Sequence, residues 1–418
     1  MSYGSTLVSI IIPVWNLWDM TSACLQSLAE HTAGEHVEII VVDNHSTDAT
    51  SSKLENFGKS LFGTAFNVVH MSENAGFARG CNAGAAVASG DLLFFLNNDT
   101  KVTPGWLPPL REAMADRRLG AVGPLLLYPD NTVQHCGIIV TPFRQVEHLY
   151  EHLPAQYIPA HKKHPLKAIT GAALLLHKKD FHACGGFCEA FVNGFEDIDL
   201  CCSLCRRGLV LRVEARSVIY HHTSQTPGRF LHNKNNSMLL HQRQGNILFP
   251  DQHVLAAQDG YELHIGPTLL TWLSVPAERQ QEYTAAVNKP TFNVKVCHKL
   301  LEHEPLWRDG WFLLANYLEK KGRAQEALQV LMSHWWLFPE ERTYVALQHL
   351  HTIVYGCPNT KVETLLRGVH EADLAANAAV VHEARSMALD RRDVELVRLY
   401  DTWLARYAPE GGTTPPSC

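Results

Sequence analysis

Four short apolar runs punctuate the first hundred residues, and their alternation with helical segments constrains the fold more than anything else in the chain. "LVSIII" (7–12), "VEIIVVD" (37–43), "NVVHM" (67–71) and "DLLFFLN" (91–97) are rich in β-branched and large apolar residues, and read as buried strands. Between the first two, Leu17, Met20, Cys24, Leu25 and Leu28 recur at helical spacing. Between the last two, "ARGCNAGAAVAS" is a small-residue helix suited to close packing on a sheet. Strand and helix in alternation predict a largely parallel α/β sheet. Ligands of such sheets sit beyond the carboxyl ends of the strands. Here those ends carry Asn16, then "DNHSTD" (43–48), then Asn74, then "NNDT" (97–100). Polar residues from separate strands thus converge on one crevice.

Further along, residues 104–168 are proline-rich and read as connecting loops and short strands. "AITGAALLLH" (168–177) resumes as a strand, "FEDIDLCCSLCRRG" (195–208) as an amphipathic helix, and "LVLRV" and "SVIYHH" as two more strands. Beyond about residue 229 the strand signals fade, and residues 278–404 read as helical. "WFLLANYLEKKGRAQEALQVLMSH" (311–334) fits one tetratricopeptide unit or, equally, an ordinary helical hairpin. The expected organisation is an α/β domain at 1–230, a connecting segment at 231–277, a helical domain at 278–408 and a disordered tail at 409–418.

With 418 residues the chain exceeds what one core usually supports. A formal charge of −6, from 36 basic and 42 acidic residues, gives no global excess to hold nucleic acid. Eleven cysteines, an odd number, cannot all pair, and the C-x-x-C at 202–205 has no second metal-ligating pair, so reduced thiols in the cytoplasm are expected. No apolar run approaches the roughly 18 residues of a membrane span, and the N-terminus lacks a basic leader.

Chemistry concentrates at a few positions. Asp43, Asn44, Ser46 and Asp48 form a turn sequence that either caps the next helix or accepts from a nucleoside. No Gly-x-Gly-x-x-Gly or P-loop follows the first strand, which disfavours dinucleotide and P-loop sites. Asp99 ends a buried strand beside two neutral amides, Asn97 and Asn98. It is either a loop cap or a hard-cation ligand. Glu196, Asp197 and Asp199 fall within four positions, as dipole partners of a helix start or as a general base. His221 and His222 follow a β-branched run, in a chain with 24 histidines.

Taken in order, "PVWN", "VVDNHSTD", "ENAGFARGCNAG", "LNNDT", "TGAALLLHKKDFHACGGF", "GFEDIDLCCSLCRRG" and "YHHTSQT" resemble glycosyltransferase family 2, inverting enzymes of the GT-A fold, over roughly residues 7–230. The resemblance implies a mixed, mostly parallel sheet flanked by helices, and a donor that is a nucleotide-diphosphate sugar, UDP- or dTDP-linked. Pro13, Asn16, Asp43, Asn44, Asn74, Gly76, Arg79, Asn97 and Asn98 would line the donor pocket. Asp99, the last residue of the family's Asp-x-Asp motif, and His221 (or His222, one position on) would hold Mg²⁺ or Mn²⁺. Asn97 stands where that motif begins with Asp, as in the rhamnosyltransferase-like branch, and Cys188 where relatives usually carry Asp. Asp197, next to Glu196, matches the catalytic base. The acceptor would be a glycan, a lipid-linked sugar or a protein, in cell-surface polysaccharide synthesis. The C-terminal helices would serve a membrane or protein partner at the inner face of the membrane. A nucleotidyltransferase would need a basic Gly-rich loop that "IIPVWNLWD" lacks, and a transferase domain reduced to a scaffold is the remaining alternative.

Overall fold

The computed structural model describes residues 6–222 and 231–408. The predicted tail at 409–418 and the "TSQT" of the last motif lie outside the described residues. The chain divides into two compact units, Met1–Ile139 with Val146–Phe249 and Val140–Gln145 with Pro250–Cys418.

The first unit runs β1 (Val8–Val14), α1 (Trp18–His31), β2 (Val37–Asp43), α2 (Thr50–Phe62), β3 (Phe66–His70), α3 (Gly76–Val87), β4 (Leu92–Leu96), β5 (Thr100–Val102) and α4 (Leu107–Ala113). It continues through β6 (Leu119–Leu127), β7 (Val133–His135), β8 (Ile138–Val140), β9 (Val146–His148), β10 (Ala173–His177), α5 (Lys178–Ala183), α6 (Glu196–Arg206), β11 (Val210–His221) and α7 (Asn233–Gln244). One nine-stranded sheet has the order β3-β2-β1-β4-β10-β6-β11-β5, with β7 on β6. β3, β2, β1 and β4 are parallel, and β10 lies antiparallel between β4 and β6. This is the mixed, mostly parallel sheet that the sequence predicts.

Both faces of the sheet are covered, which is why its strands read as unbroken apolar runs. On one face Ile10, Ile12, Leu92 and Phe94 pack with Leu25, Leu28, Trp106 and Leu110. On the other, α3 lies so close that a Cβ on Gly84 would stand 2.5 Å from Ile11 Cγ2 and 3.0 Å from Val42 Cγ2. The small-residue stripe is the condition for that approach.

Where the sequence suggests connecting loops and short strands at 104–168, the structure also has α4 and the long, wholly buried β6. Two of the prolines that suggest loops, Pro108 and Pro109, sit in the first turn of α4, where the missing N–H is not needed. Pro124 sits mid-strand in β6, but at the step where the pairing with β11 shifts register between Glu214 and Val218. That same bulge makes one strand, Val210–His221, read as two.

The second unit begins with α8 (Gln252–Asp259) and the hairpin β12 (Glu262–Ile265) and β13 (Thr271–Ser274), within the stretch expected to be connector. Eight helices follow: α9 (Ala277–Val287), α10 (Val294–His303), α11 (Arg308–Lys320), α12 (Ala324–Met332), α13 (Glu341–Tyr355), α14 (Thr360–His370), α15 (Leu374–Asp390) and α16 (Val394–Tyr407). Side chains of Asn293, Asn359, Asp373 and Asp393 cap α10, α14, α15 and α16. Sequence neighbours pack on one another, α11 on α12, α12 on α13, α13 on α14 and α15 on α16. Ile265, Val381, Tyr400 and Trp403 form a core there. No described helix is long and apolar enough to cross a membrane.

Candidate functional site

An open cleft lies over the carboxyl ends of β1, β2 and β4. Pro13, Val14 and Trp15 line it from the tip of β1, and Asn44 from the tip of β2. Asn74, Gly76 and Phe77 come from the loop into α3, and Asn97, Asn98 and Asp99 from the tip of β4. Residues 170–172 and 193–197 complete it. Topology explains how these distant segments meet. Because β10 runs antiparallel to β4, its first residue, Ala173, pairs with Leu96, the last of β4. The Ala172 carbonyl accepts from the Asn97 N–H (2.9 Å), so residues 170–172 reach the cleft beside Asn97.

Beside Asp99, β5 pairs antiparallel with β11 and sets Thr100 opposite His221. His221 Nε2 lies 3.0 Å from Asp99 Oδ1 and 3.3 Å from Asn97 Nδ2. The next residue reaches Asp99 through its backbone: the His222 N–H donates to the Asp99 carbonyl (2.9 Å). Buried Gln134 on β7 fixes the ring. Its Nε2 donates to the His221 carbonyl (3.1 Å), which turns Oε1 toward His221 Nδ1 at 2.6 Å. With the Nδ1–H donated to Gln134, the Nε2 lone pair is directed at Asp99.

That lone pair can accept from the Asn97 amide at 3.3 Å, and a proton or a cation shared with the Asp99 oxygen at 3.0 Å would satisfy both groups. The spacing suits a divalent ion, since two ligands about 2.1 Å from an octahedral centre and at right angles lie about 3.0 Å apart. A carboxylate with one imidazole fits Mg²⁺ or Mn²⁺, which take most of their remaining ligands from water and phosphate. Among the described residues, no group of three or more His, Cys, Asp or Glu is placed to hold a metal.

On the other wall, Asn193, Gly194 and Phe195 take φ of 51°, 156° and 74°, a left-handed run entering α6. Such backbone is costly for residues with a side chain and collects at functional sites. It delivers Asp197 into the cleft. There Asp197 Oδ2 accepts from the Gly171 N–H (2.7 Å) and Oδ1 from the Ile198 N–H (2.9 Å). A Cβ on Gly171 would stand 2.9 Å from that of Asp197, so the loop needs glycine to seat the carboxylate. Glu196 is buried and accepts from the Gly194 N–H (2.7 Å). The third carboxylate, Asp199, turns away from the cleft, bound by Arg243 Nε and Nη2 (2.8 and 3.0 Å) and Gln244 Nε2 (2.7 Å).

Nine of the donor-pocket, catalytic and metal positions therefore line one cleft: Pro13, Asn44, Asn74, Gly76, Asn97, Asn98, Asp99, Glu196 and Asp197. Asp43, Asn16, Arg79 and His221 are not among its lining residues. Asp43 Oδ1 accepts from the Ser46 N–H (2.9 Å), and Oδ2 lies 3.6 Å from His70 Nδ1. Asn16 Oδ1 accepts from the Thr47 N–H (2.7 Å), tying the β1 and β2 tips together. Arg79 pairs with Glu189 at 3.2 Å. Trp15, Gln134, Thr170, Gly171 and Asn193 escape sequence reasoning; Gln134 acts on a residue 87 positions away. Burial pushes the Cys202 and Cys205 thiols up to about 12 and about 11, which leaves them protonated and unreactive, as the sequence suggests.

Comparison with known proteins finds similarity in the first unit. Residues 9–168 match the sequence profile "Glycosyl transferase family 2". The "O-antigen biosynthesis protein RfbC" of Myxococcus xanthus is 32% identical over 53% of this chain and 18% of its own length. The "Pre-mycofactocin glycosyltransferase" of Mycobacterium tuberculosis is 26% identical over 51% of this chain and 42% of its own. The chain thus spans well under two thirds of these curated relatives. Among solved structures, GalNAc-T7 with UDP, GalNAc and Mn²⁺ covers 52% of this chain and 44% of its own at 17% identity and a TM-score of 0.46. The mannosyltransferase PcManGT of Pyrobaculum calidifontis, with GDP-Man and Mn²⁺, covers 95% and 87% at 14% identity and a TM-score of 0.41. The likeness rests on the sequence match: residues 9–168 match glycosyl transferase family 2, on a chain that adds a helical C-terminal extension.

Proposed function

We propose that the first unit is an inverting transferase that moves a sugar from a nucleotide-diphosphate donor, UDP- or dTDP-linked, to an acceptor hydroxyl in cell-surface polysaccharide or glycoconjugate synthesis. The observation that carries it is the meeting of Asn97–Asp99 and Asp197 in one cleft over the strand tips. The names of the relatives, O-antigen biosynthesis and glycosyl transfer, favour the same chemistry.

Asp99 and His221 are the residues that would hold Mg²⁺ or Mn²⁺, and such an ion supplies neutralisation of the charge gathering on a departing diphosphate. The amides Asn74, Asn97 and Asn98 offer hydrogen bonds without adding negative charge beside the phosphates. Asp197, held by the Gly171 and Ile198 N–H groups, takes the proton of the acceptor hydroxyl. The acceptor oxygen then bonds to the anomeric carbon from the face opposite the diphosphate, as the bond to the diphosphate breaks. No protein nucleophile intervenes, so the configuration inverts.

A panel of nucleotide sugars, screened for thermal stabilisation with Mn²⁺ or Mg²⁺ and then for turnover, tests this reading. Asp197→Asn should lower turnover about 10²–10⁴-fold while donor affinity stays within twofold. Retained turnover would remove Asp197 from its role. Nucleotide binding without turnover of any donor would favour the scaffold reading.

A further inference from the structure

Asn236 sits in α7, outside the cleft and outside the matched family segment, yet it is 3% exposed and its side chain holds the cleft's most strained backbone. Its Nδ2 donates to the carbonyls of Val192 (2.9 Å) and Gly194 (3.1 Å), and its Oδ1 accepts from the Val192 N–H (3.3 Å). These three bonds grip the chain on both sides of Asn193, the first residue of the left-handed run. Asn193 is itself exposed, and its Oδ1 accepts from the Phe77 N–H (3.2 Å) on the loop that opens α3. One carboxamide therefore fixes a turn, and the turn delivers a second carboxamide to the donor-side wall.

We propose that Asn236 is a positioning residue for the cleft: it imposes the left-handed turn Asn193–Phe195, which links the wall bearing Phe77 to the wall bearing Asp197. Its part in sugar transfer rests on the reading of this cleft as a transferase site. The turn itself does not. A carboxamide is needed because the clamp uses two donors and one acceptor at one position, and only a primary amide on a short stem offers both. An aspartate of the same shape keeps the acceptor but sets negative charge against two carbonyl oxygens.

Amide hydrogen exchange on the full chain tests the clamp without reference to activity. In Asn236→Ala and Asn236→Asp, the amides of 192–196 and of 76–78 should exchange at least tenfold faster than in the wild type. Peptides of α2 should stay within twofold. With any donor that the wild type turns over, kcat should fall at least tenfold while UDP affinity in the presence of Mn²⁺ moves less than threefold. Restoration by the isosteric Asp, or unchanged exchange at 192–196, would overturn the proposal, since a residue that only fills space is replaced by one of equal shape. If the wild type turns over no donor, the transferase reading fails while the exchange result still judges the clamp. Should the Asn236 variants not fold, the surface variant Asn193→Ala reports on the same link. Faster exchange at 76–78 supports it, and wild-type exchange there refutes it.

Discussion

Gln134→Leu removes both hydrogen bonds that orient His221 while keeping a side chain of similar size. The His221 Nδ1–H loses an acceptor at 2.6 Å and the His221 carbonyl loses a donor at 3.1 Å, in a site where both residues are 3% exposed. A buried polar group left without its partner costs about 1–3 kcal/mol, and the added apolar contact of leucine offsets part of the two losses. A net loss of about 2 kcal/mol lowers Tm by roughly 4–8 °C for a unit of this size. The larger consequence concerns the cation. Once Nδ1 is no longer tied to Gln134, the ring can turn and either nitrogen can carry the proton, so Mn²⁺ affinity should fall about 10–100-fold, the usual effect of losing the partner behind a ligating histidine. Gln134→Glu is the control, because its carboxylate still accepts the Nδ1–H and should retain Mn²⁺ binding within threefold. Calorimetric titration of Mn²⁺ in the presence of UDP measures the affinity, and a thermal melt of each apo variant measures the stability. A Gln134→Leu protein that melts early but binds Mn²⁺ like the wild type would refute the argument that the Gln134 bond aims His221 at a cation. A wild type that binds no Mn²⁺ would refute the cation site altogether.

Three further outcomes are expected. Gly84→Ala gains about 1 kcal/mol of helix propensity but brings a Cβ to 2.5 Å from Ile11 Cγ2, and overpacking of about 1–3 kcal/mol should prevail; an unchanged or raised urea midpoint would refute the tight seating of α3. Arg243→Ala should destabilise more than Asp199→Ala, by about 3 against about 2 kcal/mol, because it leaves a carboxylate that is 4% exposed without its counter-charge and with only the neutral Gln244 amide, whereas the reverse change frees a guanidinium that is 41% exposed; equal losses in chemical denaturation would contradict that asymmetry. His264 is pushed down to about 4 by burial and then by the charges of Arg308 and Arg406, against about 6.5 when unfolded. The folded state then binds fewer protons between those values, so this contribution is complete above about pH 6.5 and about 2–3 kcal/mol is lost as pH falls toward 4. His264→Asn should flatten that part of the pH dependence of the urea midpoint, and an unaltered profile would exclude His264 as its source.

The strands β1 to β4 are legible in the sequence because they are buried on both faces, so each appears as an apolar run with a polar tip. β6 is not, because Gly120, Gly123 and Pro124 break its run, and the bulge that accommodates Pro124 depends on a partner strand about ninety residues later. The tip residues Asn97–Asp99 and the helix-start carboxylates Glu196 and Asp197 stand out by position and type, but position and type leave a capping role open, and only the family resemblance singles them out. What escapes is the set of residues that hold others in place. Gln134 binds His221 across 87 positions, Asn193 binds Phe77 across 116, and Asn236 reaches Val192 across 44. None of these lies in a periodic or charged pattern, so only the fold discloses them. Asp43 and Arg79 show the converse: both have suitable chemistry at suitable places, and both are engaged with neighbours at the margin of the cleft.

The placement of β10 sets a lower bound on any piece of this chain that can stand alone. The family match stops at residue 168, five residues before the strand that separates β4 from β6 begins. A fragment cut there would bare the apolar flank of Leu92–Leu96 to any strand it met, and such edges recruit other copies. It would also lack Asp197 and His221. The evolutionary module and the smallest self-sufficient body are therefore different lengths of the same polypeptide, and expression trials should be bounded by the second.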